Sequence, residues 1–136
     1  MNKPVAATIG GYRVLLLDSI TWIGAEDAGA IVISGSHGGR SAGQYAVVFP
    51  LALCCLNDAG VGKDRAGIVA LDMLEERGIP GVAFGHNSAR IGEALDGWEH
   101  GVVSHVNPGA AALGLRLGVR LRDAIEQIFA APAADQ

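Results

Sequence analysis

The 136-residue chain has little of what marks proteins that bind nucleic acid or cross membranes. Its 10 Lys and Arg are outnumbered by 14 Asp and Glu, and a net charge of −4 gives no electrostatic reason to expect nucleic acid. Apolar stretches such as residues 46–56 are far shorter than the about 20 residues that cross a bilayer. No apolar signal segment follows Met1. We therefore expect a cytoplasmic protein with neither a nucleic-acid nor a membrane partner.

Cysteine and aromatic residues are also scarce. The two cysteines, Cys54 and Cys55, are adjacent in an apolar run, where a strand points neighbouring side chains to opposite faces. They cannot supply a disulfide or zinc framework, which fits a reducing compartment, and we interpret them as small buried apolar residues. Seven aromatic residues against 20 glycines predict an aliphatic core with many tight turns.

The size and composition fit one domain. Half of the residues are hydrophobic and 18% are charged, so the chain can bury a sizeable core, and its length is that of a single domain. We predict one domain over residues 1–136, of which about residues 130–136 form a frayed tail. Because the chain has few charges and many apolar residues, we also expect some self-association into a homo-oligomer.

Four short apolar runs and a weaker fifth each end in a polar, glycine-containing cluster. The runs occupy residues 12–17, 30–33, 52–56, 81–84 and 101–103. They lack strict alternation, which is typical of strands that are buried on both faces of a parallel sheet. We predict a three-layer α/β domain, Rossmann-like or flavodoxin-like, with a mostly parallel sheet.

Helical spacing appears between these runs. Ile68, Leu71 and Leu74 recur at helical intervals and predict a helix from about Asp64 to Arg77. Weaker helices are predicted over residues 39–48 and 88–98. The shared face of Val119, Ile125, Ile128 and Phe129 predicts a closing helix.

The polar clusters at the strand ends are the predicted site. In an open parallel sheet, ligands bind beyond the carboxyl ends of the strands, near a reversal of strand order. The predicted catalytic residues are Ser36, His37, Asp58, His86 and His105. The predicted ligand-binding residues are Gly38, Gly39, Arg40, Asn57, Gly60, Gly62, Lys63, Ser88, Arg90, Ser104 and Asn107.

Each residue type has a chemical reason to be in this set. His37 can transfer a proton near neutral pH, with Asp58 orienting it or activating water. Arg40, Lys63 and Arg90 can neutralise a carboxylate or phosphate, and glycine N–H groups can stabilise an oxyanion. Structural roles are open for the same residues: the glycine loops can be plain connections, and Ser88 can cap a helix that begins with the next residue.

Three well-known motifs do not fit. A phosphate loop would require glycine where Asn57 stands and Ser or Thr where Asp64 stands. The histidines are scattered without metal-ligand spacing, so we expect no metal. No serine lies in a G-x-S-x-G motif.

We expect a small enzyme that acts on a small anionic metabolite by general acid/base chemistry, without a cofactor. Hydrolysis of an amide or ester is favoured over a lyase or isomerase reaction. Two alternatives stay open: a non-catalytic anion-binding or regulatory module, and a small subunit that completes a larger enzyme through Trp22 and Trp98.

Overall fold

The computed structural model describes residues 3–130, and a six-stranded sheet forms its centre. The strands are β1 (Val5–Ile9), β2 (Tyr12–Leu17), β3 (Ile31–His37), β4 (Leu53–Asn57), β5 (Gly81–Phe84) and β6 (Val103–Val106). They stand in the sheet in the same order as in the chain. β2 to β5 are parallel to one another, whereas β1 and β6 pair antiparallel at the two edges. The sheet is therefore mixed, with a parallel centre.

Five α-helices cover the sheet. They are α1 (Arg40–Ala46), α2 (Val69–Glu76), α3 (Ala94–His100), α4 (Pro108–Leu113) and α5 (Leu121–Ala130). Local sequence explains several of their ends. The Asn107 side chain accepts a hydrogen bond from the Ala110 N–H, Pro108 opens α4, and Gly114 ends it with a left-handed φ of 109°.

Two apolar clusters lie on the two faces of the sheet. One face packs against α1 and α2, and the other packs against α3, α4 and α5. The adjacent cysteines divide between them, since Cys54 lies in the first cluster and Cys55 in the second. Burial raises the pKa of the Cys54 thiol to about 12 and that of Cys55 well above its ordinary value. The α/β class and the burial of both thiols are confirmed.

The sequential strand order differs from the expectation of a Rossmann-like or flavodoxin-like sheet. Those sheets reverse their strand order at the ligand crevice. Within residues 3–130 the order shows no such reversal, because each strand pairs with the next one along the chain. The carboxyl ends of β2 to β5 nevertheless lie at one edge of the sheet, as the predicted site requires.

The first four apolar runs correspond to the four parallel strands β2 to β5. The runs at 12–17 and 81–84 have the same bounds as β2 and β5. The runs at 30–33 and 52–56 each begin one residue before β3 and β4 begin. The strand predicted from the fifth run has the wrong bounds, because β6 begins at Val103, the last residue of that run. β1 has mostly exposed residues and gave no apolar run.

Two predicted helices begin later than expected. Residues 63–65 form a 3₁₀ turn with left-handed backbone at Asp64 and Arg65, so α2 starts at Val69 rather than near Asp64. The helix predicted over residues 88–98 is wrong in its first half, because α3 begins at Ala94 after a turn region. The closing helix is confirmed as α5, with Ile125 and Phe129 buried, but Val119 precedes the helix and is exposed. The predicted tail, apart from Ala130, lies outside the described residues.

No helix in residues 3–130 is long and apolar enough to cross a membrane.

Candidate functional site

Three of the predicted catalytic residues lie at the ends of neighbouring parallel strands. His37 ends β3, Asp58 follows β4 and His86 comes two residues after β5. His37 is paired in register with Asn57, the residue that precedes Asp58. Because parallel strands end at the same edge, the fold brings these side chains to one rim of the sheet.

Asp58 is the buried polar centre of this rim, with only 5% of its surface exposed. Its Oδ1 accepts hydrogen bonds from the N–H groups of Gly60 at 2.8 Å and His86 at 3.0 Å. Burial by itself would raise the pKa of the carboxyl group. The hydrogen bonds from Gly60, from the Ser104 hydroxyl and from His86 outweigh that effect and lower the pKa below its ordinary value. Asp58 is therefore ionised at neutral pH.

His86 is held by this carboxylate. Its Nδ1 lies 3.2 Å from the Asp58 Oδ1, and the His86 side chain is 46% exposed. An ionised carboxylate can only accept, so the imidazole Nδ1 must carry the proton. The neutral ring then has its lone pair on Nε2. This is the tautomer of a general base that is oriented by a buried carboxylate.

Ser104 and His105 extend the network along β6. His105 is paired with Ala83 and Val103 with Phe84, so Ser104 is an extra residue in a bulge of β6. The Ser104 hydroxyl donates to the Ala83 carbonyl oxygen at 3.3 Å, and it also contributes to the lowered pKa of Asp58. The His105 Nδ1 lies 3.1 Å from the same Oγ.

The direction of these contacts follows from proton counting. The single Ser104 hydroxyl proton is donated to the Ala83 carbonyl oxygen, which can only accept. The His105 Nδ1 must therefore donate to the Ser104 Oγ, which leaves the lone pair of the neutral His105 ring on Nε2. His86 thus hydrogen bonds directly to the Asp58 carboxylate, whereas His105 is held by Ser104.

His37 has a different environment. It is exposed, and its Nδ1 accepts a hydrogen bond from the Gly39 N–H at 3.1 Å. The neutral ring therefore carries its proton on Nε2. His37 lines a shallow cavity of about 120 Å³ with Ser36, whose Oγ accepts from the Ile20 N–H. The sequence predicts that Asp58 orients His37. In the structure the Asp58 carboxylate contacts the His86 ring instead.

The loop after Asp58 is held in unusual backbone conformations. Ala59, Val61, Asp64 and Arg65 have φ between 52° and 69°, a region that non-glycine residues seldom adopt. Each such residue costs about 1–3 kcal/mol and persists only where the surroundings fix it. The loop aims the Gly60 N–H at Asp58.

Two glycines are required where this loop packs tightly. Gly60 has a φ of 76°, and a side chain there would touch the His86 ring. Gly67 donates its N–H to the Val61 carbonyl oxygen at 2.6 Å, and a side chain there would clash with the carbonyl oxygens of Asp58 and Val61. The sequence D-A-G-V-G-K-D is therefore a positioning loop for the Asp58–His86 pair.

Several cations near this rim have no carboxylate partner. Arg40 begins α1, and Lys63 and Arg65 lie in the loop after Asp58; all three are exposed. Within residues 3–130, none of the three lies within 4.0 Å of a carboxylate oxygen. They are available to an anion. Arg90, in contrast, is 3.9 Å from Glu93.

Three predicted ligand-binding side chains have structural partners instead. The Asn57 amide binds the Ala89 carbonyl oxygen and the Ala59 N–H. The Ser88 hydroxyl donates to the Gly85 carbonyl oxygen and accepts from the Val102 N–H, so it ties the loop to β6 and does not cap a helix.

Asn107 lies at the opposite edge of the sheet. Because β6 is antiparallel, its last residues return to the start of β5, where the Asn107 amide binds backbone groups of Leu71, Ile79 and Gly81. Gly38 and Gly39 supply backbone contacts: Gly38 bonds to Asn57 and Ala70. Gly62 has a left-handed φ of 73° in the loop after Asp58.

Other features of the described residues bear on the remaining expectations. Across residues 3–130, no group of three or more His, Cys, Asp or Glu side chains is arranged to hold a metal ion. Trp98 is buried beneath the Arg122 guanidinium, and Trp22 is half-buried against the α1 and α2 cluster. Neither tryptophan forms the exposed apolar patch that the subunit hypothesis requires.

Sequence reasoning missed two charged residues, Arg65 and Asp72. Both line a cavity of about 260 Å³ that also contains Ser104 and His105. Arg65 is two residues from the predicted Lys63, so extending the loop would have found it. Asp72 lies on α2 and gave no signal in the sequence.

No protein-family model, no curated protein and no solved structure matches the chain, so its chemistry must be inferred from the site's own geometry.

Proposed function

We propose that the protein is a proton-transfer enzyme in which His86 is the general acid/base and Asp58 orients it. The observation that carries this proposal is the 3.2 Å contact between the buried Asp58 Oδ1 and the half-exposed His86 Nδ1. The contact leaves Nε2 free to take a proton from water or from a substrate. A positioned acid/base group of this kind contributes about 10²–10⁴-fold to a reaction rate.

The substrate that we propose is a small molecule with an anionic group. The unpaired side chains of Arg40 and Lys63 support this proposal, because a carboxylate or phosphate would neutralise them. Hydrolysis of an amide or ester by a water that His86 activates is the first candidate reaction. A lyase or isomerase reaction uses the same base and is the second. A cytoplasmic location and a homo-oligomeric state stay predictions.

A non-catalytic anion-binding module is the competing hypothesis. It needs the cations and the backbone N–H groups but has no use for an oriented imidazole. The buried carboxylate behind His86 favours the catalytic proposal, because a merely anion-binding site gains nothing from a negative charge at its centre.

One experiment can follow both reaction classes. Small esters and amides that carry a carboxylate are incubated with the protein in D₂O, and proton NMR reports both hydrolysis and deuterium exchange at carbon. For any substrate that turns over, we expect His86→Gln to lower the rate by about 10²–10⁴-fold. The control is His100→Gln, an exposed histidine on α3 that lies 4.0 Å from Asp96.

The expected result is a full rate in the His100 variant and a large loss in the His86 variant. Unchanged turnover in His86→Gln would contradict the assignment of the base. Turnover that is lost in His37→Gln but kept in His86→Gln would show that His37, at the end of β3, is the general base instead.

A further inference from the structure

A second cavity adjoins the proton-transfer network. It has a volume of about 260 Å³ and lies where α2 faces β6 and the residues that follow α4. Its charged members are Arg65, from the loop after Asp58, and Asp72, from the first turn of α2. Ser104 and His105 line the same cavity.

Arg65 and Asp72 have opposite charges but do not neutralise each other. In the described part of the chain, every ion pair within 4.0 Å involves other residues. A guanidinium and a carboxylate that face one cavity without meeting are complementary to a ligand that carries both charges. The guanidinium matches a carboxylate in a two-pronged contact, and the carboxylate matches an ammonium group.

Leu71, Val106 and Leu117 form an apolar part of the wall. Asn107 also lines the cavity, but its amide is bound to backbone groups. Leu117 is 63% exposed, so a ligand that covers it would remove apolar surface from water. Small-molecule sites commonly combine such apolar walls with a few convergent polar groups. The composition of this cavity therefore fits an aliphatic side chain next to the two charges.

His105 connects the cavity to Asp58. Its Nδ1–H donates to the Ser104 Oγ, and the Ser104 hydroxyl is close enough to Asp58 to lower the pKa of that carboxyl group. The lone pair on Nε2 is the part of the His105 ring that Ser104 leaves free. A ligand in this cavity would thus lie beside the His105 imidazole.

We propose that this cavity binds a small zwitterion of the aliphatic amino-acid class. Arg65 holds the carboxylate, Asp72 holds the ammonium group, and the aliphatic side chain lies against Leu71 and Leu117. The proposal goes beyond the proposed function, because neither Asp58 nor His86 lines this cavity. Binding itself is independent of catalysis.

The test compares three probes of nearly equal shape by isothermal titration calorimetry. L-leucine carries both charges, L-leucinamide lacks the carboxylate, and L-2-hydroxyisocaproate lacks the ammonium group. We expect L-leucine to bind at least about tenfold more tightly than either analogue, because each analogue leaves one cavity charge without a partner.

Two pairs of variants locate the binding site. Arg65→Gln and Asp72→Asn should each weaken L-leucine binding at least about tenfold. Their controls are Arg77→Gln and Glu76→Gln, exposed residues near the end of α2 that do not line the cavity, and these should bind as the wild type does. Circular dichroism of all four variants shows whether each is folded.

Equal affinity for the three probes, or L-leucine binding that survives both cavity substitutions, would overturn the proposal. The outcomes for the proposed function differ. Leucine binding that is kept in His86→Gln supports the cavity whether or not His86 catalyses. Turnover that depends on His86 without any leucine binding would support the enzyme and contradict this cavity assignment.

Discussion

His37 and His86 both follow parallel strands, both adjoin glycines, and both lie at one rim of the sheet, yet they are held in opposite ways. The His37 Nδ1 accepts from a backbone N–H, whereas the His86 Nδ1 donates to a buried carboxylate. In the neutral state His37 therefore presents an N–H at Nε2, and His86 presents a lone pair there. Of these two histidines, His86 is the one that can take a proton from a ligand at Nε2.

The difference lies in what each strand end has beside it. Asp58 directly follows β4, and its carboxylate faces the loop after β5 and contacts His86 there. β3 ends in a glycine-rich turn whose N–H groups supply the partner of His37. A histidine at a strand end thus becomes a base or a donor according to the group that hydrogen bonds to its Nδ1. For His86 that group comes from the neighbouring strand end, and for His37 it comes from the following turn.

The largest expected effect is a difference in the free energy of unfolding between a substitution at Asp58 and one at His37. Asp58→Ala removes the acceptor of the N–H groups of Gly60 and His86, and we expect it to lower the free energy of unfolding by about 3 kcal/mol. His37→Ala should cost less than about 1 kcal/mol, because the ring is exposed and makes one hydrogen bond. Urea unfolding of both variants at neutral pH measures the difference. Equal losses would contradict the central position of Asp58.

A smaller effect is expected from acid. The pKa of Asp58 is lowered in the folded state from its ordinary 3.8. A group of this kind contributes stability that is complete above the unfolded pKa and is lost as the pH falls through the folded pKa. The stability difference between wild type and Asp58→Asn should therefore be constant near neutral pH and shrink below about pH 4. A difference that stays constant down to the acid limit would show that no lowered carboxyl pKa exists.

The smallest effect concerns the backbone of the loop after Asp58. Ala59 has a φ of 52°, which costs a non-glycine residue about 1–2 kcal/mol. Ala59→Gly relieves that strain but loosens the unfolded chain, so we expect a net gain of about 0.5 kcal/mol.

The control for this prediction is Ala42→Gly. Ala42 is buried inside α1 and lines the cavity beside His37, and glycine in a helix should cost about 1 kcal/mol. Thermal unfolding of the two variants should show shifts of opposite sign. Destabilisation by both substitutions would mean that the loop after Asp58 is not strained at this position.

Much of the fold could be read from apolar runs, because a central strand buried on both faces leaves an unmistakable pattern. β2 and β5 have the predicted bounds, and the rim that gathers His37, Asp58 and His86 follows from their parallel neighbours. β1 could not be found, since its residues are mostly exposed.

The site was harder to predict because it depends on contacts between distant segments. The partner of Asp58 lies 28 residues along the chain at His86, and the Ser104 bulge exists only through the pairing of β5 with β6. The antiparallel direction of β6 also moved Asn107 to the far edge. The residue types in the sequence thus indicated which edge of the sheet holds the candidate site. Strand direction and register determine which side chains contact one another at that edge.

The most direct test of this account is the tautomeric state of the two histidines, measured by long-range proton–nitrogen correlation in ¹⁵N-labelled protein at a pH where the spectrum itself shows both rings to be neutral. We predict that His86 carries its proton on Nδ1 and His37 carries its proton on Nε2, and that Asp58→Asn changes the His86 signal alone. A His86 ring protonated on Nε2 in the wild type, or one that does not respond to Asp58→Asn, would contradict the account.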